Sequence, residues 1–134
     1  MTKFLIHTDG GARGNPGPAA IGVVIEDADG RVVFAEGKYI GETTNNQAEY
    51  QAVVFALEKA AELGGDELDF HLDSELVVRQ LNGEYKVKNQ DLAVQFLKIH
   101  NLRGKFKKTT FRHVYREDNK LADELLNKAL DSRE

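Results

Sequence analysis

The hydrophobic residues of this chain follow two different spacings, and each predicts one kind of element. Short apolar runs rich in β-branched residues predict strands, whereas apolar residues three and four positions apart predict amphipathic helices. The first pattern predicts strands over residues 4–9, 20–26, 31–40, 67–72 and 109–114. The second predicts helices from a polar start at residues 43–49 to about residue 63, over 74–81 and over 91–102, and a last helix capped by Asp118 or Asn119.

The order of these elements, β-β-β-α-β-α-α-β-α, describes an α/β sheet opened by an antiparallel meander. With 134 residues, we expect one domain, residues 1–134, with a single core. The sequence has no cysteine, which excludes disulfides and thiolate metal sites. No apolar run approaches the roughly 20 residues of a membrane helix, so a soluble, cytoplasmic protein without a membrane partner is the default expectation.

The net charge of −4 is not that of a protein that binds nucleic acid by bulk positive charge. Basic residues nevertheless cluster at Lys86 and Lys88 and again over residues 103–108. Divalent cations bound by converging acidic residues would also reverse the local field. Net charge therefore excludes no function that involves nucleic acid.

The first predicted strand ends on Asp9 and is followed by a loop that contains four glycines and two prolines, residues 10–18. A strand end holds a carboxylate rigidly at the edge of the sheet, where a ligand or metal can reach it. Glycines let backbone N–H groups approach a phosphate or sugar closely. The alternative for Asp9-Gly10 alone is an ordinary turn between two strands.

Three further carboxylates can join Asp9. Asp73 also follows a predicted strand, and ligands of open α/β sheets bind at the carboxyl ends of strands. Glu49 and Asp123 lie about one turn into the first and last helices, and neither has a cationic partner four residues away. Solvated helix surface is the alternative for each of these two. Four carboxylates brought together would repel one another unless metal ions were bound.

Four segments together resemble ribonuclease H, type 1: Asp9-Gly-Gly-Ala-Arg-Gly-Asn-Pro-Gly, Thr43-Thr-Asn-Asn-Gln-Ala-Glu49-Tyr, Asp73-Ser74 and Asn119-Lys-Leu-Ala-Asp123. One motif alone is weak evidence, but the four occur in order over nearly the whole chain. The resemblance implies a mixed five-stranded sheet of order 3-2-1-4-5 with helices on both faces. It also implies that the catalytic and metal-binding residues are the four carboxylates, Asp9, Glu49, Asp73 and Asp123.

The resemblance further implies two Mg²⁺ ions, for which Mn²⁺ can substitute. Mg²⁺ prefers carboxylate and water oxygens, and a cysteine-free sequence offers nothing softer. By analogy, Asp9 would bridge both ions, Glu49 and Asp73 would hold the ion near the leaving group, and Asp123 the ion carrying the attacking water. Two ions roughly 3.5–4 Å apart can activate water and stabilise the departing 3′ oxygen, which would leave 5′-phosphate and 3′-hydroxyl ends.

The implied substrate is an RNA/DNA hybrid whose RNA strand is cut by a monomeric endonuclease, with double-stranded RNA as a second candidate. RNA is distinguished from DNA through its 2′-hydroxyl, which small polar side chains and backbone groups can bind. Thr44 resembles the residue that seats a DNA-strand phosphate at a helix start. The predicted substrate-binding residues are Gly11, Ala12, Arg13, Asn15, Thr44, Asn45, Asn46, Ser74 and Arg116.

The sequence departs from the family pattern at three places. The basic helix-and-loop insertion of many bacterial members is absent, because only residues 83–90 separate the second and third helices. Glu75 stands where many relatives carry Gln, and the segment before the last helix contains neither Gly nor His, leaving Arg116 as its basic residue. The alternative function is a non-cleaving nucleic-acid-binding domain on the same fold.

Strand alternation places His7 on the same face as Asp9 and His71 on the same face as Asp73. If the two strands are neighbours, the imidazoles lie one layer below the carboxylates and can touch. We interpret them as packed side chains rather than metal ligands, since Mg²⁺ usually takes oxygen ligands.

Overall fold

The computed structural model describes residues 1–133; Glu134, the last residue of the predicted domain, lies outside the described residues. Ten elements follow one another along the chain. They are β1 (Lys3–Ala12), β2 (Gly17–Glu26), β3 (Val32–Thr43), α1 (Asn45–Glu62), β4 (Glu67–Leu72), α2 (Glu75–Leu81), α3 (Gln90–Arg103), β5 (Lys108–His113), a 3₁₀ turn (Arg116–Asp118) and α4 (Lys120–Asp131).

The five strands form one mixed sheet in the order β3-β2-β1-β4-β5, as predicted. The β1–β2 and β2–β3 pairs are antiparallel, and the β1–β4 and β4–β5 pairs are parallel. Thr8 pairs with Leu72 at the last step of the β1–β4 ladder. The next residues on these two strands, Asp9 and Asp73, therefore meet at the same edge of the sheet.

The three helices α1, α2 and α3 share a large apolar core with one face of the sheet. Alternate residues of the strands point into it because side chains alternate across a pleated sheet. The fully buried members include Ile6, Ile25, Leu57 and Phe70, and Tyr50 of α1 donates a hydrogen bond to Gln80 Oε1 at 2.6 Å. This core holds the elements that carry Glu49 and Asp73.

The fourth helix, α4, packs on the opposite face, where two glycines allow an unusually close approach. A Cβ at Gly22 would lie 2.0 Å from the Ala122 carbonyl oxygen, and one at Gly37 would lie 2.1 Å from the Leu125 carbonyl oxygen. The apolar cluster on this face is small and consists of Ala20, Leu126 and Leu130, with Ala129 packed against it. Backbone contact, rather than large side chains, therefore sets the position of α4.

The observed helices and strands match the predicted ones, but several begin or end at different residues. Strand β3 continues to Thr43 and β2 begins at Gly17, because these two residues pair in the β2–β3 ladder. The 3₁₀ turn was not predicted, since three residues carry no usable periodicity. Asn119 is the N-cap residue of α4, but its side chain does not cap the helix. Among residues 1–133, no helix is both long and apolar enough to cross a membrane.

Candidate active site

Two strand ends and one helix bring three carboxylates together. Asp9 and Asp73 stand where the β1–β4 pairing ends, and Glu49 reaches them from the second turn of α1. One carboxylate oxygen from each of these residues lies within 4.8 Å of the other two. Asp9 is 6% exposed and Glu49 is 7% exposed, so two of the three groups are buried. The three carboxylates therefore converge at this edge of the sheet.

Glu49 is held by the backbone of β1 on one side only. The Gly10 N–H donates to Glu49 Oε1 at 3.2 Å, whereas Glu49 Oε2 is buried without a hydrogen-bond partner. A buried carboxylate oxygen without a partner costs free energy, because nothing replaces the water that it has lost. This oxygen is therefore available for a ligand.

Asp123 completes the set from the other side of the sheet. It lies in the first turn of α4 and lines the same cleft as Asp9 and Asp73, but it is not one of the three residues whose oxygens lie within 4.8 Å. Arg116 Nη2 lies 3.7 Å from Asp123 Oδ1. The structure thus separates a tight group of three carboxylates from a fourth that pairs with an arginine.

Burial and mutual repulsion raise the pKa values of the three clustered carboxylates. Burial, followed by the charge of Asp73, raises the pKa of Asp9 to about 7. Burial, followed by the charge of Asp9, raises the pKa of Glu49 well above its usual value. Burial also raises the pKa of Asp73, and a hydrogen bond from Asn119 and the charge of Arg116 oppose that shift. The cluster therefore favours bound protons or cations.

The donor set fits a divalent metal ion. Within residues 1–133, no lysine or arginine lies within ion-pair distance of Asp9, Glu49 or Asp73. The ligand atoms are carboxylate oxygens, which Mg²⁺ and Mn²⁺ accept, and the unpartnered Glu49 Oε2 is one of them. A cation would supply the missing partner and relieve the repulsion among the carboxylates.

The cluster opens into a cleft of about 360 Å³ between the end of β1 and α4. Gly11, Ala12 and Arg13 form one wall, and Leu126, Asn127 and Leu130 form the other. Arg13 crosses between the walls, since its Nη2 lies 2.7 Å from Asp131 Oδ1. Arg116 stands at the Asp123 side and is 78% exposed. Two arginines thus face a cleft whose floor is acidic.

The remaining predicted substrate-binding residues lie around the start of α1 or cap a helix. Asn45 Oδ1 accepts from the Ala12 N–H at 2.8 Å, and its own N–H donates to Asn15 Oδ1 at 3.0 Å. These two bonds fix the end of β1 and the loop after it to the start of α1. Thr44 Oγ1 caps α1 by accepting from the Gln47 N–H at 3.2 Å. A second hollow of about 200 Å³ lies beside this helix start and is lined by Asn15, Thr44 and Asn46 together with Asn89 and Asp91.

Ser74 is set apart from the other predicted substrate-binding residues by its bond to α2. Its Oγ accepts from the Val77 N–H at 3.4 Å and caps that helix. Helix capping is therefore a sufficient structural reason for a serine directly after Asp73.

The sequence analysis did not identify three features in or beside the site: the cleft wall formed by Leu126, Asn127 and Leu130, Asp131, which pairs with Arg13, and the buried Asn119. The wall carries a signal that was available, because residues 123, 126, 127 and 130 share one helical face. The Arg13–Asp131 pair spans most of the chain, and no local pattern marks it.

This chain resembles proteins of a known family over nearly its whole length. Residues 7–129 match the family described as Reverse transcriptase-like. The crystal structure of RNase H1 from Halobacterium salinarum superposes with a TM-score of 0.94 at 43% identity and covers 96% of this chain and 98% of that chain. The chain belongs to the ribonuclease HI family.

Two further solved relatives agree with this membership of the ribonuclease HI family. The N-terminal RNase H domain of a Mycobacterium tuberculosis protein has a TM-score of 0.95 at 40% identity, covering 98% of this chain and 96% of that one. LC11-RNase H1, from compost, was solved in complex with an RNA/DNA hybrid; its TM-score is 0.91 at 48% identity, with 96% of each chain covered.

The full-length relatives are longer than this ribonuclease HI chain. A bifunctional protein of Mycobacterium tuberculosis is 43% identical over 131 residues, which are 97% of this chain and 36% of that protein. Ribonuclease HI of Halobacterium salinarum is 45% identical over 125 residues, which are 93% of this chain and 63% of that protein. The family and the fold predicted from the sequence are confirmed.

Proposed function

We propose that this chain is a metal-dependent endoribonuclease that cleaves the RNA strand of RNA/DNA hybrids and leaves 5′-phosphate and 3′-hydroxyl ends. The observation that carries the proposal is the cluster of three carboxylates at the sheet edge with an unpartnered buried oxygen of Glu49. Membership of the ribonuclease HI family and the hybrid complex of the relative LC11-RNase H1 support it.

In this proposal Asp9, Glu49, Asp73 and Asp123 hold the metal. Two bound Mg²⁺ ions would supply an activated water and would stabilise negative charge on the departing oxygen, with Mn²⁺ as a substitute. The protein contributes the rigid placement of the four carboxylates, because three of them come from the sheet edge and α1, and the fourth from α4.

The cleft walls would place the nucleic acid. Gly11 and Ala12 line the cleft together with Asp9, so the backbone here can lie close to the RNA sugar and its 2′-hydroxyl. Arg13 and Arg116 are the cations that can attract phosphates across the acidic floor. The hollow at the start of α1, with Thr44 and Asn46, offers polar groups for the DNA strand.

The test is cleavage of a labelled RNA/DNA hybrid in Mg²⁺, with parallel reactions in EDTA and with the Asp73→Asn variant. We expect cleavage of the RNA strand in Mg²⁺ only, and loss of activity by several orders of magnitude in the variant, while its circular dichroism spectrum is retained. The products should be substrates for RNA ligase without any end treatment, because they carry 5′-phosphate and 3′-hydroxyl ends. Cleavage in EDTA, or an Asp73→Asn variant within a few fold of the parent, would contradict the proposal.

Double-stranded RNA, the second candidate substrate, is incubated with the enzyme beside the hybrid in the same experiment.

The second candidate function is a domain that binds the hybrid without cutting it. Binding of the hybrid with Mg²⁺ and no cleavage would favour the non-cleaving domain. The buried carboxylates argue against that outcome, since binding alone does not require groups that are costly to bury.

A further inference from the structure

Asn119 connects the end of β1 to the start of α4 through its side-chain amide. Asn119 Nδ2 donates to the Thr8 carbonyl oxygen at 2.9 Å, and Asn119 Oδ1 lies 3.0 Å from His7 Nδ1. A carbonyl oxygen can only accept, so the NH₂ group must face Thr8 and the amide oxygen must face His7. His7 Nδ1 therefore carries the proton and donates to Asn119.

The burial of Asn119 shows that this connection is not a surface contact. The residue is 1% exposed and stands at the N-cap position of α4. Thr44, Ser74 and Asn89 cap their helices with their side chains, whereas Asn119 makes no such bond. Helix α4 thus lacks a stabilising side-chain cap, and the Asn119 amide contacts β1 instead.

The bonds of Asn119 link the segments that carry two of the four carboxylates, Asp9 and Asp123. Thr8 precedes Asp9, and the Asp123 N–H donates to the Asn119 carbonyl oxygen at 3.2 Å. Asn119 therefore bonds through its side chain to the backbone beside Asp9 and through its main-chain carbonyl to Asp123 in the first turn of α4.

We propose that Asn119, with its amide oriented by His7, is a positioning residue that sets α4, and with it Asp123, relative to Asp9. The proposal rests on the proposed function, in which these carboxylates hold the metal. It assigns no proton transfer to His7. The imidazole acts only as a donor of fixed direction, because the partner groups determine which of its nitrogens is protonated.

The neighbouring strand supplies a matched control for His7. His71 pairs with His7 across the β1–β4 ladder, and the two rings touch edge to face with centroids 5.1 Å apart. Both imidazoles are about equally exposed, and each faces one carboxylate: His7 Nε2 lies 3.8 Å from Glu26 Oε2, and His71 Nε2 lies 3.4 Å from Asp69 Oδ2. Only His7 has a hydrogen bond to Asn119.

The experiment compares His7→Asn, His7→Leu and His71→Leu in the full chain, with Asn119→Ala beside them. Asparagine and leucine are similar in size, but the asparagine Nδ2 sits where His7 Nδ1 sits and keeps the donor. The readouts are the Mg²⁺ dissociation constant from calorimetry without nucleic acid, kcat and KM on the hybrid, and the melting temperature in EDTA.

We expect His7→Leu to weaken Mg²⁺ binding and to lower kcat by about tenfold, and Asn119→Ala to do so by about 10–100-fold, as is typical when a group that orients a metal ligand is removed. KM should stay nearly constant. His7→Asn should recover most of the loss. His71→Leu should stay within about twofold of the parent, because it removes packing and a surface charge contact but no bond to Asn119.

Equal Mg²⁺ affinities and kcat values for His7→Leu and His71→Leu, with equal loss of melting temperature, would show that His7 only packs and would overturn the proposal. Failure of His7→Asn to exceed His7→Leu would do the same. If Asn119→Ala does not fold, the His7 series still decides. Because the calorimetry needs no substrate, a parent that binds Mg²⁺ but cuts no hybrid would refute the proposed function and leave this inference to be judged on metal affinity.

Discussion

The two faces of the sheet are built in opposite ways. The face covered by α1, α2 and α3 is filled by large apolar side chains from almost every element, such as Ile6, Leu57 and Phe70. The face covered by α4 has a small apolar cluster of Ala20, Leu126 and Leu130, and the helix backbone rests on Gly22 and Gly37. The polar groups His7, Asn119, Asp9 and Asp123 lie on this second side.

The large core mainly stabilises the fold, whereas the contacts of α4 fix the positions of the site residues. Apolar burial is non-directional, so the large core stabilises the fold without specifying positions to a fraction of an ångström. Backbone-to-backbone contact and a buried amide leave much less freedom, and they hold the helix that carries Asp123. Substitutions on the two faces should therefore have different consequences even when they destabilise the protein equally.

The largest contrast is expected between Gly22→Ala and Leu57→Ala. A methyl group at residue 22 would overlap the Ala122 carbonyl oxygen, so α4 must shift, and overpacking of this kind costs about 1–3 kcal/mol or more. Leu57→Ala leaves a cavity in the large core and costs about 2–5 kcal/mol. We compare kcat on the hybrid at a temperature well below both melting temperatures. It should fall at least tenfold in Gly22→Ala, because Asp123 moves with the helix. In Leu57→Ala it should stay near that of the parent.

Urea unfolding provides the stability scale for this pair. Both variants should unfold at lower urea concentration than the parent. A Gly22→Ala enzyme with parental kcat would show that α4 tolerates displacement, and the distinction between the two faces would then fail.

The second prediction concerns the repulsion among the carboxylates in metal-free buffer. The pKa of Asp9 is raised from 3.8 to about 7 in the folded protein, so the folded state retains a proton that the unfolded chain releases. Stability therefore falls as pH rises from about 4 to about 7 and levels off above that range. Asp9→Asn removes this cost, so its stability gain over the parent should be small near pH 4 and reach about 2–4 kcal/mol at pH 8.

Thermal unfolding in EDTA across this pH range measures the gain. Asp29→Asn, at an exposed position in the β2–β3 turn, is the control and should show no such trend. Mg²⁺ should stabilise the parent and have little effect on Asp9→Asn. A constant difference between parent and Asp9→Asn from pH 4 to pH 8 would contradict the assigned cause.

The smallest expected effect is at Arg116, on the exposed side of the cleft. Its guanidinium stays charged at any working pH, so it can attract phosphate or product but cannot accept a proton. Exposed charge contacts are worth about 0.2–1 kcal/mol, which predicts a kcat lower by about 1.4- to fivefold for Arg116→Ala and partial retention for Arg116→Lys. Arg31→Ala, in the exposed turn between β2 and β3, is the matched control. Equal rates for Arg116→Ala and Arg31→Ala would exclude Arg116 from turnover.

Much of the architecture followed from local patterns. Period-two and helical spacings located the strands and helices, and the four motifs identified the family and with it the sheet order. The carboxylates at the ends of β1 and β4 could be placed at one edge because parallel strands end on the same side of a sheet. Side-chain alternation also correctly placed His7 beside His71, since the period of a strand is two residues.

Other features required the folded chain. The roles of Asn119, of the Arg13–Asp131 pair and of the close α4 contact depend on segments about 100 residues apart in sequence, such as His7 and Asn119, separated by 112 residues. Sequence periodicity specifies which face a side chain occupies but not the distance between two elements. The distance between α4 and the sheet is short because Gly22 and Gly37 have no side chains to separate them. At this short distance a polar residue at the helix start can bond to a strand instead of capping its own helix.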